Sequence, residues 1–200
     1  PETGRTGSLQ VGILSLISDL GRTPRRILMV PVDRCGWNEL TVSSLLKCEK
    51  NTSPKPSGHP LLLCEVEKIL KLEVDRDTLL ICIGGGVLGD LVGLASSLIL
   101  RGLDFVQIPS TLLAQVDSSV GGKTGINSKY GKNLIGSFNQ PKSVIISTDI
   151  LKTLNKRDVN SGYAEILKYS FIYDKKFFNW LLKNGKNVIS LHTESCVYAI

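Results

Sequence analysis

Short runs of consecutive apolar residues, each stopped by glycine or proline, alternate along this chain with stretches whose apolar positions recur every three to four residues. The run Thr78-Leu-Leu-Ile-Cys-Ile83 ends at Gly84-Gly85-Gly86. Arg26–Pro31, Asp104–Pro109 and Lys142–Ser147 read the same way. Uninterrupted apolar runs of this length predict strands buried on both faces, the habit of parallel sheets. Between them, Leu61–Leu72 has helical spacing, with Leu62, Val66, Ile69 and Leu70 on one side and Glu65, Glu67, Lys68 and Lys71 on the other. Asp90–Leu100 is apolar enough for a buried helix, and Thr111–Ser118 predicts a short one. The glycine- and lysine-rich stretch Gly121–Gly136 reads as a loop. After it the pattern is helical only: Asn155–Tyr169, with Asn155 as N-cap, then Lys175–Leu182, apolar at Phe177, Phe178, Leu181 and Leu182. Strand–helix alternation followed by helices predicts an α/β protein with a mainly parallel sheet over residues 1–154 and the start of an all-helical domain over 155–200. The first 60 residues are less legible: Leu9–Leu20 fits a strand or a short helix, and Asn51–Gly58 a loop.

Composition narrows the class. With 200 residues, 42% hydrophobic and 21% charged, the chain is neither globally disordered nor a disulfide scaffold. The net charge of +6 is spread thinly, which favours small anions over a nucleic-acid footprint. Five cysteines at 35, 48, 64, 82 and 196, with no CxxC, fit reduced thiols. The stretch Leu9–Leu20 contains Asp19 and is too short to span a bilayer, and no secretory signal is evident, so a cytoplasmic protein is expected. His59 and His192 are the only histidines, so a metal site made wholly within the chain is a poor expectation. The start at Pro1 and the end at Ile200, inside a helical pattern, lead us to expect a fragment.

Four motifs carry candidate chemistry. Ile83–Asp90 places Gly84, Gly86 and Gly89 at a strand-to-helix turn, where backbone amides can approach phosphate oxygens. No acidic residue ends the next strand, so the dinucleotide fingerprint is incomplete, and a tight turn without ligand remains an alternative. Gly122-Lys123-Thr124 resembles the end of a Walker A loop, but Asp117 stands where its first glycine belongs, which excludes a P-loop. Lys123 with Asp117, Ser118 and Ser119 nearby suits a phosphate or carboxylate, or is a mobile surface lysine. Gly131-Lys132-Asn133 offers a cation and an amide on a turn. On the helix beginning at Asn155, Ser161, Glu165 and Lys168 share a face: an exposed ion pair, or a carboxylate for a divalent metal beside a substrate lysine.

Together GGGVLGD, RGLDFVQIPSTLLAQVDSSVGGKTGIN, GKNLIGSFNQPK, DILKTL and SGYAEILKY resemble the 3-dehydroquinate synthase family of sugar-phosphate cyclases, from about Val74 to Leu182. The resemblance implies a Rossmann-like sheet domain and conversion of the seven-carbon sugar acid phosphate DAHP into 3-dehydroquinate and phosphate, in the shikimate route to aromatic amino acids. It implies catalytic NAD and a divalent metal, zinc or cobalt. Gly86, Val87, Leu88, Gly89 and Asp90 would then meet the NAD pyrophosphate and ribose, with Ser110, Thr111, Lys123, Lys132 and Ile150, Leu151, Lys152 and Thr153 as further cofactor contacts. Asp117, Lys123, Asn133 and Lys168 would serve the reacting end, Glu165 would bind the metal, and Arg101 would reach a neighbouring subunit's site in a homodimer. The family's other two metal ligands are histidines beyond residue 200, so this chain alone is expected to be inactive. Residues 52–57 do not match the family's upstream cofactor segment. Other readings are a different sugar-phosphate cyclase or a non-catalytic NAD-binding module; neither nucleic acid nor membrane is an expected partner. The leading reading requires Gly86, Lys123, Asn133 and Glu165 to surround one hollow.

Overall fold

The computed structural model describes residues 24, 26–30, 38–39 and 58–200. The Leu9–Leu20 element, most of the Asn51–Gly58 loop, Cys35 and Cys48 lie outside them. The main sheet has five strands. In chain order these are β1 (Arg26–Val30), β2 (Asn38–Glu39), β3 (Thr78–Gly84), β4 (Asp104–Pro109) and β7 (Ser143–Val144), arranged β2-β1-β3-β4-β7. All neighbours pair in parallel except β2, which runs antiparallel to β1. Two helices cross over between parallel strands: α1 (Gly58–Lys71) joins β1 to β3, and α2 (Gly86–Leu98) joins β3 to β4. Both crossovers advance the same way across the sheet, so right-handed connections put both helices on one face. Leu62 and Ile69 of α1 and Leu94 and Ala95 of α2 accordingly pack with Leu28, Leu80 and Phe105. Leu79, Ile81, Val106 and Ile108 point the other way and form a second cluster. The predicted α/β architecture is thus present, with a parallel sheet at its centre.

Three sequence expectations change. Gly121–Gly136 is not a loop. It forms an antiparallel hairpin of β5 (Lys123–Ser128) and β6 (Gly131–Phe138). Its glycines are there for closeness: a Cβ at Gly136 would fall 2.3 Å from the Thr124 carbonyl oxygen, and one at Gly93 of α2 would fall 2.4 Å from Thr124 Cγ2. The hairpin therefore lies directly on α2, fixed by Asn139 Nδ2 donating to the Gly93 carbonyl at 2.8 Å. Second, the strand expected over Lys142–Ser147 shortens to β7, because it is a sheet edge and the chain turns at Thr148 into a 3-10 segment, Thr148–Thr153. Third, the buried helix expected from Asp90 begins at Gly86, with the last glycine of the turn already helical.

The helical part follows the predicted order. It comprises α3 (Lys156–Ile172), α4 (Lys175–Ile189) and α5 (Thr193–Ala199). α4 outruns its predicted end at Leu182 because Leu181, Gly185 and Val188 continue the buried stripe. This cluster also takes in Leu112 and Leu151, from segments that precede the helices. Asn155 caps α3, its Oδ1 accepting from the Asp158 amide at 3.0 Å. Asn155→Ala leaves that amide without its partner and is expected to cost about 1 kcal/mol, lowering Tm by roughly 2–4 °C in a thermal melt. The described cysteines Cys64, Cys82 and Cys196 are free thiols, and burial, with Asp90 adding to it, pushes Cys82 up to about 12. No helix among the described residues is long and apolar enough to cross a membrane.

Candidate functional site

The C-terminal ends of β3 and β4 lie side by side, with Gly84 opposite Pro109. The Ser110 amide donates to the Gly84 carbonyl at 2.9 Å, which holds the two strand exits together. Beyond them the chain makes two different turns. β3 passes through Gly85 straight into α2, whereas β4 leads through Thr111 into a short helix that ends in a π-helical turn, Ala114–Ser118. A small cleft opens between the two, lined by Gly84, Gly85, Gly86, Gly89, Ser118 and Ser119 among others.

The glycines make this cleft. A Cβ at Gly86 would fall 2.4 Å from Ser118 Oγ, and one at Gly89 would fall 2.9 Å from Gln107 Nε2. Only at these distances can α2 stand so near both the π turn and β4. Helix α2 begins at an extended Gly85 with no side-chain cap, so its first amides point out of the helix without a side-chain partner. The helix dipole adds partial positive charge there. Around the same cleft the side-chain oxygens of Gln107, Ser118 and Ser119 are buried and make no hydrogen bond. An uncapped helix start beside unpartnered hydroxyls fits an anionic phosphate group.

The wall facing this turn is helical. Gln115, fully buried, donates from Nε2 to the Pro109 carbonyl at 3.1 Å and to the Ser147 carbonyl at 3.0 Å. It thereby ties the π turn both to β4 and to the segment leading into Ile150–Thr153. Gly162 of α3 packs against Leu112 and Leu113, where a Cβ would fall 2.6 Å from the Leu113 amide nitrogen. Two turns further on, the Tyr169 hydroxyl donates to Asp117 Oδ1 at 2.9 Å. Lys168 forms an ion pair with Glu165 and stands 4.9 Å from the centre of the Tyr169 ring. The Glu165 carboxylate holds the Lys168 ammonium above its ordinary range, and the Asp117 carboxylate does the same for the Tyr169 phenol. Ser161, expected on the same face, spends its hydroxyl on the Arg157 carbonyl.

Asp90 on α2 is half-buried. Desolvation, reinforced by the Asp117 charge, pushes its carboxyl up from 3.8 to about 6. Ionised Asp90 therefore opposes folding. The penalty is absent below pH 3.8, grows between there and about 6, and is complete above. Asp90→Asn is expected to be more stable than the parent chain at pH 7 and equal to it near pH 4, measured by urea unfolding across that range.

Gly86 lines the cleft; Lys123, Asn133 and Glu165 do not. Lys123 begins β5 and Asn133 lies near the far end of the hairpin, which puts them roughly 13 Å apart at about 3.3 Å per residue. Both are exposed, as is Lys132. The hairpin seats itself on α2 through Gly93 and Thr124, and Lys123, next to Thr124 along the strand, faces the other side. Glu165 connects to the cleft indirectly, by way of Lys168, Tyr169 and Asp117. Arg101 is exposed near the start of β4, roughly 17 Å along that strand from the cleft end. Val87 is exposed, Ser110 and Thr111 sit beside the glycine turn, and Leu151 is buried in the helical cluster while Lys152 pairs with Asp149. Gln107 and Gln115 had no role assigned from sequence; the available signal was a polar residue inside an apolar stretch. Among the described residues no three His, Cys, Asp or Glu side chains come together as a metal site, and Glu165 offers one ligand only.

A parallel α/β sheet with a glycine-turn cleft at its strand ends, walled by a helical layer, defines a Rossmann-like nucleotide-binding class of fold. The family described as 3-dehydroquinate synthase N-terminal matches residues 61–161, and the chain belongs to that family. It is 50% identical over 135 residues to a 3-dehydroquinate synthase of Rhodospirillum rubrum, covering 68% of this chain and 35% of that one. It is 55% identical over 131 residues to the Bartonella bacilliformis enzyme of that name, covering 66% and 35%. The chain thus spans about a third of the length of these curated relatives. Among solved structures, 2-epi-5-epi-valiolone synthase from Streptomyces hygroscopicus, with NAD+ and Zn2+ bound, superposes with a TM-score of 0.67 at 31% identity over 70% of this chain and 40% of that one. A 2-deoxy-scyllo-inosose synthase complexed with carbaglucose-6-phosphate, NAD+ and Co2+ gives 0.53 at 32% identity over 55% and 30%.

Proposed function

We propose that this chain supplies the NAD-holding part of a 3-dehydroquinate synthase, which turns DAHP into 3-dehydroquinate and inorganic phosphate. The observation that carries the reading is the uncapped start of α2 at Gly85–Gly86, facing the buried hydroxyl of Ser118. NAD, when bound, supplies a reversible hydride acceptor. The chain's own contribution is positional. The first amides of α2 hold the pyrophosphate, and Asp90 accepts from a ribose hydroxyl. Asp117, held by Tyr169, faces the reacting end. Lys168, kept charged by Glu165, attracts the anionic substrate. Lys123, Lys132 and Asn133 on the hairpin, Ser110 and Thr111 beside the turn, and Ile150–Thr153 complete the cofactor and substrate contacts. Glu165 would be one ligand of a zinc or cobalt ion, which would act as a Lewis acid on the substrate oxygen being oxidised. Arg101, remote from its own cleft, serves the cleft of a second subunit in a homodimer. The sheet-bearing domain ends at residue 154, the helical domain begins at 155, and the enzyme works in the cytoplasm.

A related cyclase is the second reading, favoured by the likeness to the valiolone and inosose synthases. The test is titration calorimetry on the 200-residue chain. NAD is expected to bind, and the NAD-loaded chain to bind DAHP in preference to sedoheptulose 7-phosphate or glucose 6-phosphate. Preference for either of the other sugars moves the assignment to a related cyclase. Absence of NAD binding overturns the proposal.

A further inference from the structure

The cleft contains a feature that the family motifs leave unassigned. Gln107 and Ser119 are each only 6% exposed, yet Gln107 Oε1 and Ser119 Oγ have no hydrogen-bond partner, and neither has the buried Ser118 Oγ. A buried polar group favours a partner, so three unpartnered ones around a single cleft suit a bound ligand there. Every charged side chain is absent from the lining; the guest meets neutral hydroxyls, an amide and backbone N–H groups. Such groups suit an anion that must be held without an opposing charge. Ser118 Oγ also stands against Gly86, at the spot a Cβ would need. An oxygen resting on the amides at the start of α2 therefore comes within reach of this hydroxyl too.

We propose that Ser118 is a direct phosphate ligand of the bound dinucleotide, donating its hydroxyl to a pyrophosphate oxygen, with Ser119 and Gln107 supporting that oxygen's seat from below. The inference rests on the NAD reading above and adds residues to it. It also explains why Gly86 has no side chain: the missing Cβ makes room for the serine that completes the phosphate cradle.

The test compares Ser118→Ala with the parent chain. ADP-ribose is the probe that carries the pyrophosphate, and adenosine the probe that lacks it. Calorimetry is expected to show about a tenfold loss of ADP-ribose affinity, with adenosine affinity unchanged. Without ligand, the variant is expected to melt at the same temperature as the parent or higher, since it buries no unpartnered hydroxyl. Ser119→Ala is expected to show the same pattern with a smaller loss. Unchanged ADP-ribose affinity in Ser118→Ala, or a lower melting temperature without ligand, overturns the assignment while leaving NAD binding intact. Failure of the parent chain to bind ADP-ribose or NAD overturns both.

Discussion

Gly86→Ala is expected to weaken NAD binding by about 100-fold or more, while Gly85→Ala, one residue earlier, leaves the fold unperturbed. The difference is spatial. A Cβ at Gly86 would lie 2.4 Å from Ser118 Oγ and 3.1 Å from Ser118 Cβ. Turning Ser118 about χ1 can move its Oγ but leaves its Cβ in place, on a π turn pinned by Gln115 to Pro109 and Ser147. The α2 start or the turn must therefore move, and overpacking of this kind costs about 1–3 kcal/mol. The displacement opens the phosphate cradle, which is why the larger loss falls on affinity. A Cβ at Gly85 meets Thr111 Cγ2 at 3.5 Å and Thr111 Oγ1 at 3.9 Å, ordinary contacts, and its extended backbone (φ −76°, ψ 177°) is open to any residue. Binding isotherms and thermal melts of the two variants side by side check the contrast. Equal losses in both would mean that the glycines serve backbone freedom rather than the approach of Ser118.

Gly162→Ala is expected to destabilise the chain by about 3 kcal/mol, lowering Tm by roughly 6–12 °C. Here α3 meets the short helix after β4, and the new carbon would fall 2.6 Å from both Leu112 Cγ and the Leu113 backbone nitrogen. Leu112 is fully buried and belongs to the cluster that holds Val159, Ile166 and Leu181. Backbone on one side and a core leucine on the other leave no flexible side-chain end to yield. α3 must tilt away, carrying Glu165, Lys168 and Tyr169 with it, and the Tyr169–Asp117 hydrogen bond is expected to break. Weaker NAD binding should therefore accompany the fall in stability. A melt unchanged from the parent would show that α3 and the turn pack more loosely than this contact requires.

Much of the fold was legible because its signals are local. The apolar run ending at Ile83, the glycine stop after it, and the Asn155 cap each lie within a few residues, and each element formed where its pattern stood. The hairpin was missed because glycine and lysine are loop residues by habit. Gly136 and Gly93 are instead places where strands and α2 press together, a constraint that appears only when both partners are present. The candidate site divides along the same line. Motif reading singled out Gly86, Asp90, Asp117, Glu165 and Lys168, and expected Gly86, Lys123, Asn133 and Glu165 around one hollow. Lys123 and Asn133 are exposed on the hairpin and are not among the residues that line the glycine-turn cleft.

By itself, then, the sequence determined the order of strands and helices, the glycine turn, and the residues capable of phosphate and acid–base chemistry, since hydrophobic period and residue type are read within a few positions. Tertiary structure alone decided that Ser118 stands against Gly86 and that Gln107 is buried beneath Gly89. It alone decided that Tyr169 reaches Asp117 across 52 residues. Contacts between residues far apart in the chain depend on how close two elements can pack. That closeness is set by small side chains on both partners at once.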